Sequence, residues 1–511
     1  MLAEVEYPDA ASATDVVTYA YDAQGRRIYV RDQAGNVIDE SYDASGRLEA
    51  RSVSTLASGF DGDVRRIEMA YDDLGRTATV TQYDAATSGS VLDQVSFTYT
   101  AWGDVSKFEQ DWNSEVGASG SVDDKEVSYS YAKATGGRNT VRKTGITLPS
   151  GLGVDYLYAN TSGRHEDDLS VVSGIQSSGI ALARYQYNGF GKLVSSVYPE
   201  VGLKYEGFES TSGVYDHLDR FNRTTKVSWS KSNGASVYDV DLEWDRGGNI
   251  LSITDNIHDG FDVKVSIDDL DRVTRAHEGT LSSGSITAAS RDQQWTLDHL
   301  GNWDQNLLDL NGDADFVDTD ELDEDRSHND VNEITARDID DDGSDDFTLS
   351  YDAVGNLTDD GEEYKYVWDA FGRLTEILDR SDDSLVEEMT YNGLGFMIAE
   401  KYDTDEDGDV DGSDLTYWYV YDERWRRLAT YRESDSAPKE EWLHHQAGPD
   451  GRGGSSYIND VISWRRDDNT AWTAASDGVL ETRRYLCQNW RGDVIAVVDS
   501  SGDQVEQVRY F

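Results

Sequence analysis

Tyr21-Asp22-Ala23-Gln24-Gly25-Arg26 returns 21 residues later as Tyr42-Asp43-Ala44-Ser45-Gly46-Arg47, with a half-step, Arg31-Asp32-Gln33-Ala34-Gly35-Asn36, between the two. The pattern continues as Tyr71-Asp72-Asp73-Leu74-Gly75-Arg76, Tyr187-Asn188-Gly189-Phe190-Gly191-Lys192, Trp244-Asp245-Arg246-Gly247-Gly248-Asn249 and Leu297-Asp298-His299-Leu300-Gly301-Asn302. It tightens toward the C-terminus in Tyr351 to Asn356, Trp368 to Arg373 and Tyr391 to Phe396, with weaker copies at Tyr99 to Asp104, Tyr158 to Arg164, Ile267 to Arg272 and Tyr421 to Arg426. An Asp or Asn opening a turn can bond its side chain to the backbone two residues on, and a Gly three residues later supplies a positive φ without steric cost. Together they predict a type I turn closed by a glycine bulge, a common hairpin connection. Flanking runs such as Arg27-Ile28-Tyr29-Val30-Arg31 and Val127-Ser128-Tyr129-Ser130-Tyr131 alternate in the period of half-buried strands. One such hairpin cannot bury its own apolar face, so neighbours must stack edge to edge and stability must accumulate from unit to unit. The fold class is therefore all-β, a curved sheet of stacked hairpins.

Composition agrees. Among 511 residues, 30 Tyr, 13 Trp and 46 Gly against 5 Pro favour strands joined by tight turns, and a chain too polar to bury anything would not be 11% aromatic. With 100 acidic against 45 basic side chains the net charge is -55, which makes nucleic acid and anionic lipid poor partners and attracts divalent cations; adaptation to a saline habitat accounts for such a surface equally well. The single cysteine, Cys487, excludes an intramolecular disulfide and reads as a buried strand residue. No run approaches 18 apolar residues, and the opening, Met1-Leu2-Ala3-Glu4-Val5-Glu6-Tyr7-Pro8-Asp9, lacks the basic-then-apolar layout of a signal peptide.

These repeats resemble the YD/RHS repeat family, which includes bacterial RHS toxins, the C subunits of Tc toxin complexes and the teneurin shell. The resemblance covers nearly the whole chain, and its weight comes from the number of copies, since one YDxxGR means little. It implies that the hairpins wind as a spiralling sheet, part or all of a hollow shell that often encloses a C-terminal toxin. The stretch from Tyr485 through Asn489-Trp490-Arg491-Gly492 and Asp499 to Tyr510 resembles the start of the RHS-associated core. In relatives that core runs on into a self-cleavage region and a variable cargo domain; neither lies in this chain, so toxicity and self-cleavage do not carry over. The expected organisation is one continuous repeat region over 1–511, with acidic insertions at 303–350, a calcium loop at 403–414 and the truncated core at 485–511.

The chemical signal lies in the insertions. Asp403-Thr404-Asp405-Glu406-Asp407-Gly408-Asp409-Val410-Asp411-Gly412-Ser413-Asp414 matches a DxDxDG calcium loop, with Asp403, Asp405, Asp407, Asp411 and Asp414 as donors at positions 1, 3, 5, 9 and 12, a backbone carbonyl from Asp409 at position 7 and Gly408 at the sharp turn. Its closing Asp rather than Glu resembles dockerin-type loops. Taking the loop out of the 30-residue spacing from Tyr391 to Tyr421 leaves an ordinary hairpin, so it is an insertion. Six aspartates this close repel unless a cation neutralises them; the rival reading is a solvated acidic hairpin tip. Asp338, Asp340, Asp342, Ser344 and Asp346 form a shorter loop with Gly343 at the turn, similar to the calcium loops of integrin-type propellers. Asp309, Asn311, Asp313, Asp315 and Asp320 form a third set, with Ala314 where Gly is wanted. Oxygen donors without His or Cys select calcium over zinc or copper.

No GxxxxGK[ST], HExxH, GxSxG or CxxC pattern is present, and the adjacent pair His444-His445 should point to opposite faces of a strand. The sequence thus predicts a non-enzymatic, calcium-braced scaffold, secreted or at the cell surface, whose partner is a polypeptide cargo or C-terminal domain absent from this chain. The alternative is a surface adhesion or carbohydrate-binding module with a glycan or cell-surface partner.

Overall fold

A computed structural model describes residues 3–7, 16–118, 124–134, 139–158, 166–188, 192–207, 215–405, 410–446 and 460–510. Within them nearly all regular structure is strand, and the single helix is the four-residue Glu166–Leu169. Consecutive strands pair antiparallel. They form a sheet of 26 strands, from Glu4–Glu6 to Phe347–Thr348, and a sheet of 14 that runs from Ser350–Tyr351 to Gln504–Gln507 and also takes in the short strand Phe60–Asp61. The expected single strip is therefore continuous in order, with its hydrogen-bond ladder interrupted at Leu349.

The repeat motif makes the turns as its chemistry requires. In the first copy the Asp22 amide donates to the Arg26 carbonyl at 2.9 Å and the Gly25 amide to the Asp22 carbonyl at 3.0 Å. One carboxylate oxygen of Asp22 accepts from the amides of Gln24 and Arg26 at 2.9 and 3.0 Å, and the other from Arg26 Nε at 2.6 Å. Gly25 sits at φ +85°, the left-handed region open to glycine. Asn222, Asp271 and Trp425 hold the same turn position at φ +65°, +60° and +66°, so the weaker copies close without glycine at a cost of about 1–2 kcal/mol each.

Tyr and Arg of the motif join one repeat to the next, a role that turn chemistry alone did not suggest. The Tyr42 hydroxyl donates to the Arg27 carbonyl at 2.7 Å while the Arg26 guanidinium lies 4.5 Å from the Tyr42 ring centre. Tyr71 repeats the arrangement with Leu48 and Arg47, and Tyr99 with Thr77 and Arg76. Where Asn replaces Arg, as in Asn302, its amide still bonds Asp298, at 2.9 Å, and reaches the next turn at Asn332.

In an antiparallel meander, connections alternate between two rims. Almost every Asp-x-x-Gly turn falls on one rim; the half-step at Asp32 and the turn at Asp499 fall on the other. The second sheet docks its turn rim against the opposite rim of the first. Trp368 and Asp369 pair in parallel with Phe60 and Asp61. Gln82 Nε2 donates to the Tyr391 carbonyl at 2.5 Å and Gln110 Nε2 to the Tyr419 carbonyl at 3.0 Å, each spanning 309 residues. Trp112 stacks on Trp418 with centroids 5.0 Å apart. Further along, the separation shortens to 259 residues at Trp229 and Gln488 and to 231 at Glu278 and Arg509, so the second layer gains on the first and moves from rim docking to packing on its face. The apolar core lies in this seam: it collects Ile67 to Leu242 from the first sheet and Ile398 to Val498 from the second, and takes no fully buried residue between Leu242 and Ile398. Cys487 is buried within it, in the strand Thr482–Gln488.

Candidate metal centre

All three acidic loops interrupt hairpins on the rim opposite the repeat turns, where added residues do not disturb the stacking of strands. Residues 310–321 join Trp303–Asp309 to Leu322–His328, residues 339–346 join Ile334–Asp338 to Phe347–Thr348, and residues 403–415 join Met397–Tyr402 to Thr416–Tyr421. Asp407 and Asp409 lie outside the described residues.

The two loops described throughout share one frame. Their first Asp is buried and turned inward: Asp309 accepts from the amides of Asn311 at 3.0 Å, Gly312 at 2.5 Å and Ala314 at 2.9 Å, while Asp338 accepts from Asp340 at 3.4 Å and Gly343 at 2.9 Å. Sixth in each loop stands a left-handed residue, Gly343 at φ +83° and Ala314 at φ +72°; the expected obstacle at Ala314 is met by strain rather than by loss of the turn.

Within each loop the structure brings three carboxylates together, every one offering an oxygen within 4.8 Å of the others: Asp313, Asp315 and Asp318; Asp338, Asp340 and Asp346; Asp403, Asp405 and Asp414. Asp309 and Asp320 are not in the first trio of carboxylates. Asn311 Nδ2 donates to Asp318 at 3.1 Å, and Asp318, absent from the expected donor set, takes a place in the trio. Asp342 stands outside the second trio and accepts from the Ser344 amide at 2.9 Å. Asp411 stands outside the third, its amide donating to Asp414 at 2.8 Å.

Electrostatics separates the loops. Burial, then Asp342 and Asp346, hold the Asp340 carboxyl above its ordinary value; Asp323 and Asp325 on the adjoining strand are raised by burial and then by the neighbouring loop carboxylates, Asp341 foremost. A divalent cation there would relieve the mutual repulsion. Asp414 differs: burial opposes its ionisation, yet the amides of Asp411 and Thr404 and the Thr404 hydroxyl hold it below the usual range. The donors are hard oxygens throughout, which fits calcium, and several of them are already oriented by backbone amides.

The titratable groups inside the seam are engaged structurally. Both ring nitrogens of His445 lie 2.7 Å from a tyrosine hydroxyl, Tyr185 at Nδ1 and Tyr198 at Nε2, and His444 Nε2 donates to the Arg427 carbonyl at 2.6 Å, so the pair diverges as expected. Burial lowers His444 to about 4 and His445 to about 3, and it pushes the Cys487 thiol well up, away from a reactive thiolate. Lys439 and Asp467 form a fully buried pair at 3.1 Å.

Comparison with solved structures matches this winding. A TcdB2-TccC3-TEV crystal structure superposes with a TM-score of 0.64 at 13% identity, covering 100% of this chain and 24% of the other. The chain has the RHS/YD shell fold. A Photorhabdus luminescens Tc holotoxin pore structure with a substituted TccC3 gives a TM-score of 0.62 at 15% identity over 97% of this chain and 23% of its own, and TcdB2-TccC3 without its hypervariable C-terminal region gives 0.62 at 14% over 97% and 24%. The chain thus spans about a quarter of the length of these structures. No family model and no curated protein matches. Among the described residues no helix is long and apolar enough to cross a membrane.

Proposed function

We propose that this chain is a wall segment of an RHS/YD-type shell, a non-enzymatic scaffold, secreted or at the cell surface, that encloses or presents a polypeptide cargo and is braced by calcium. The seam supports this reading most directly: a strip that passes over itself after 309 residues, with its core between layers, is built to curve around a space. The repeat side chains are consumed in turning and stacking, Asp on amides, Arg on Tyr and Tyr on carbonyls, which leaves them available for shape rather than reaction. Calcium would pin loops whose carboxylates otherwise repel, with Asp338, Asp340 and Asp346 holding one ion and Asp403, Asp405 and Asp414 another.

Small-angle scattering in calcium tests the shape: an envelope wider than that of a solid 511-residue body is expected, and a compact one overturns the reading. Thermal melting tests the bracing. Calcium at about 100 times its Kd should add about 2.7 kcal/mol of stability, chelator should remove it, and Asp338→Asn with Asp346→Asn should blunt the gain. Identical melting with and without calcium refutes the bracing.

A further inference from the structure

The rim contact between the two sheets closes around a carboxyl group. Phe60–Asp61 pairs with Trp368–Asp369, and at the next turn of the second sheet Gly393 is pressed against Val80: a Cβ on Gly393 would stand 2.6 Å from Val80 Cγ1, so the two windings meet here without a gap. Beside that contact stands Asp93, 2% exposed, in the strand Val91–Tyr99. Gln82 Nε2 donates both to Asp93 Oδ2 and to the Tyr391 carbonyl of the second sheet, while Gln82 Oε1 accepts from Arg373 Nη1 at 2.9 Å. Asp93 Oδ1 is buried and, among the described residues, makes no hydrogen bond.

Little in this contact can hold a negative charge on Asp93. From its own sheet the carboxyl faces Gln82 and Asp111, which is itself buried and engaged by the Asn113 and Ser114 amides and the Ser114 hydroxyl. From the second sheet it faces the Gly393 amide and Arg373. Arg373 is committed to Asp369 at 2.6 Å and bonds Gln82 rather than Asp93, and Asp111 repels a second carboxylate. Burial outweighs the help of Gln82, Arg373 and Gly393 and lifts the carboxyl to about 7.

We propose that Asp93 is a proton-operated latch on the seam: neutral, it lets the second winding seat on Gln82 and Val80; ionised, it draws water into the contact and frees the turn at 392–396 from the first sheet, with both strand ladders intact. The direction follows from where the proton is held. Opening returns the carboxyl to water and to its ordinary value of 3.8, so the open form gains as pH climbs from 3.8 to about 7 and gains nothing more above that, where both forms are ionised. The latch stands on this contact alone and does not depend on the chain being the wall of a shell.

Amide exchange in the full chain, followed by residue and corrected for the intrinsic pH dependence of exchange, tests the latch. Protection at Gly393 should fall about tenfold per pH unit between pH 5 and pH 7 and level off by pH 8. Tyr185, whose amide donates to the Ser173 carbonyl away from this contact, should keep its protection throughout. Asp93→Asn should flatten the Gly393 profile, and the parent's own profile carries the test if that variant does not fold. The proposal falls if Gly393 protection is unchanged from pH 5 to pH 8, or if Asp93→Asn folds and keeps the parent's profile. Loss of protection at Tyr185 in step with Gly393 also overturns it, because the whole chain would then be unfolding rather than the seam opening.

Discussion

The strands from Lys125 to Trp244 and those from Ser285 to Thr348 both carry Asp- or Asn-led turns, at Asn188 and Asp219 in the first and at Asp298 and Asn329 in the second, yet the two stretches are held together differently. Behind the first lies the second sheet, and Val127, Tyr185, Tyr198 and Trp229 are buried against it. The second stretch contributes nothing to that core. Its strands are tied instead by carboxylate and guanidinium: Arg275 grips Asp292 through two bonds of 2.8 and 2.7 Å, and the buried Glu324 takes Arg326 and Arg337, each at 2.6 Å. A recurrent turn code therefore helps make the strip, while burial depends on whether another winding covers it. The covered stretch gains non-directional apolar stabilisation, and the uncovered one relies on charge pairs that salt screens where they reach solvent.

The contrast should show first in truncations. Trp229→Ala, which also removes the 2.8 Å bond from Nε1 to the Gln488 carbonyl, should cost about 3–5 kcal/mol, whereas Trp303→Ala in the uncovered stretch should cost about 1 kcal/mol; equal losses in chemical denaturation would erase the distinction.

Protonation sharpens it next. Asp93 is buried in the seam, donated to by Gln82, and burial raises its carboxyl to about 7 from an ordinary 3.8. The folded chain then holds a proton that the unfolded chain has released, so stability falls as pH rises between those values. Asp93→Asn should recover up to ~4 kcal/mol at pH 8 and almost nothing near pH 4. His444 and His445 act in the opposite sense: they stay neutral when folded down to about 4 and about 3, so their share of stability declines as pH drops below the ordinary histidine value of 6.5. An Asp93→Asn variant no more stable than the parent at pH 8 would mean the seam admits water at Asp93.

The smallest effect belongs to the clamp between repeats. Arg47→Lys loses the fork on Asp43 and the stacking 4.3 Å from the Tyr71 ring centre, and should lower stability by about 1 kcal/mol. Hydrogen exchange would accompany all three measurements, slowest in Val127 to Leu242 and faster from Ser285 to Thr348.

Much of this architecture was legible beforehand, because a turn is a local event: Asp22 meets only its own next four residues, and a six-residue motif contains all of them. The acidic loops were legible as insertions, and their frame formed even with Ala314. Which carboxylates converge was less so: Asp318 joins the first trio and Asp309 does not, whereas the likewise buried Asp338 stays in the second. The Tyr and Arg clamp left a trace, an Arg four residues after the Asp in copies such as Asp22, Asp43 and Asp72, whose partner stands in the next repeat.

What the sequence alone determined is the hairpin, its turn and its edge-to-edge stacking, because each is decided by contacts within about one repeat. Tertiary structure alone decided which faces are covered and where the core runs, because those contacts join residues 231 or more positions apart, and their register depends on the summed twist and curvature of every strand between them.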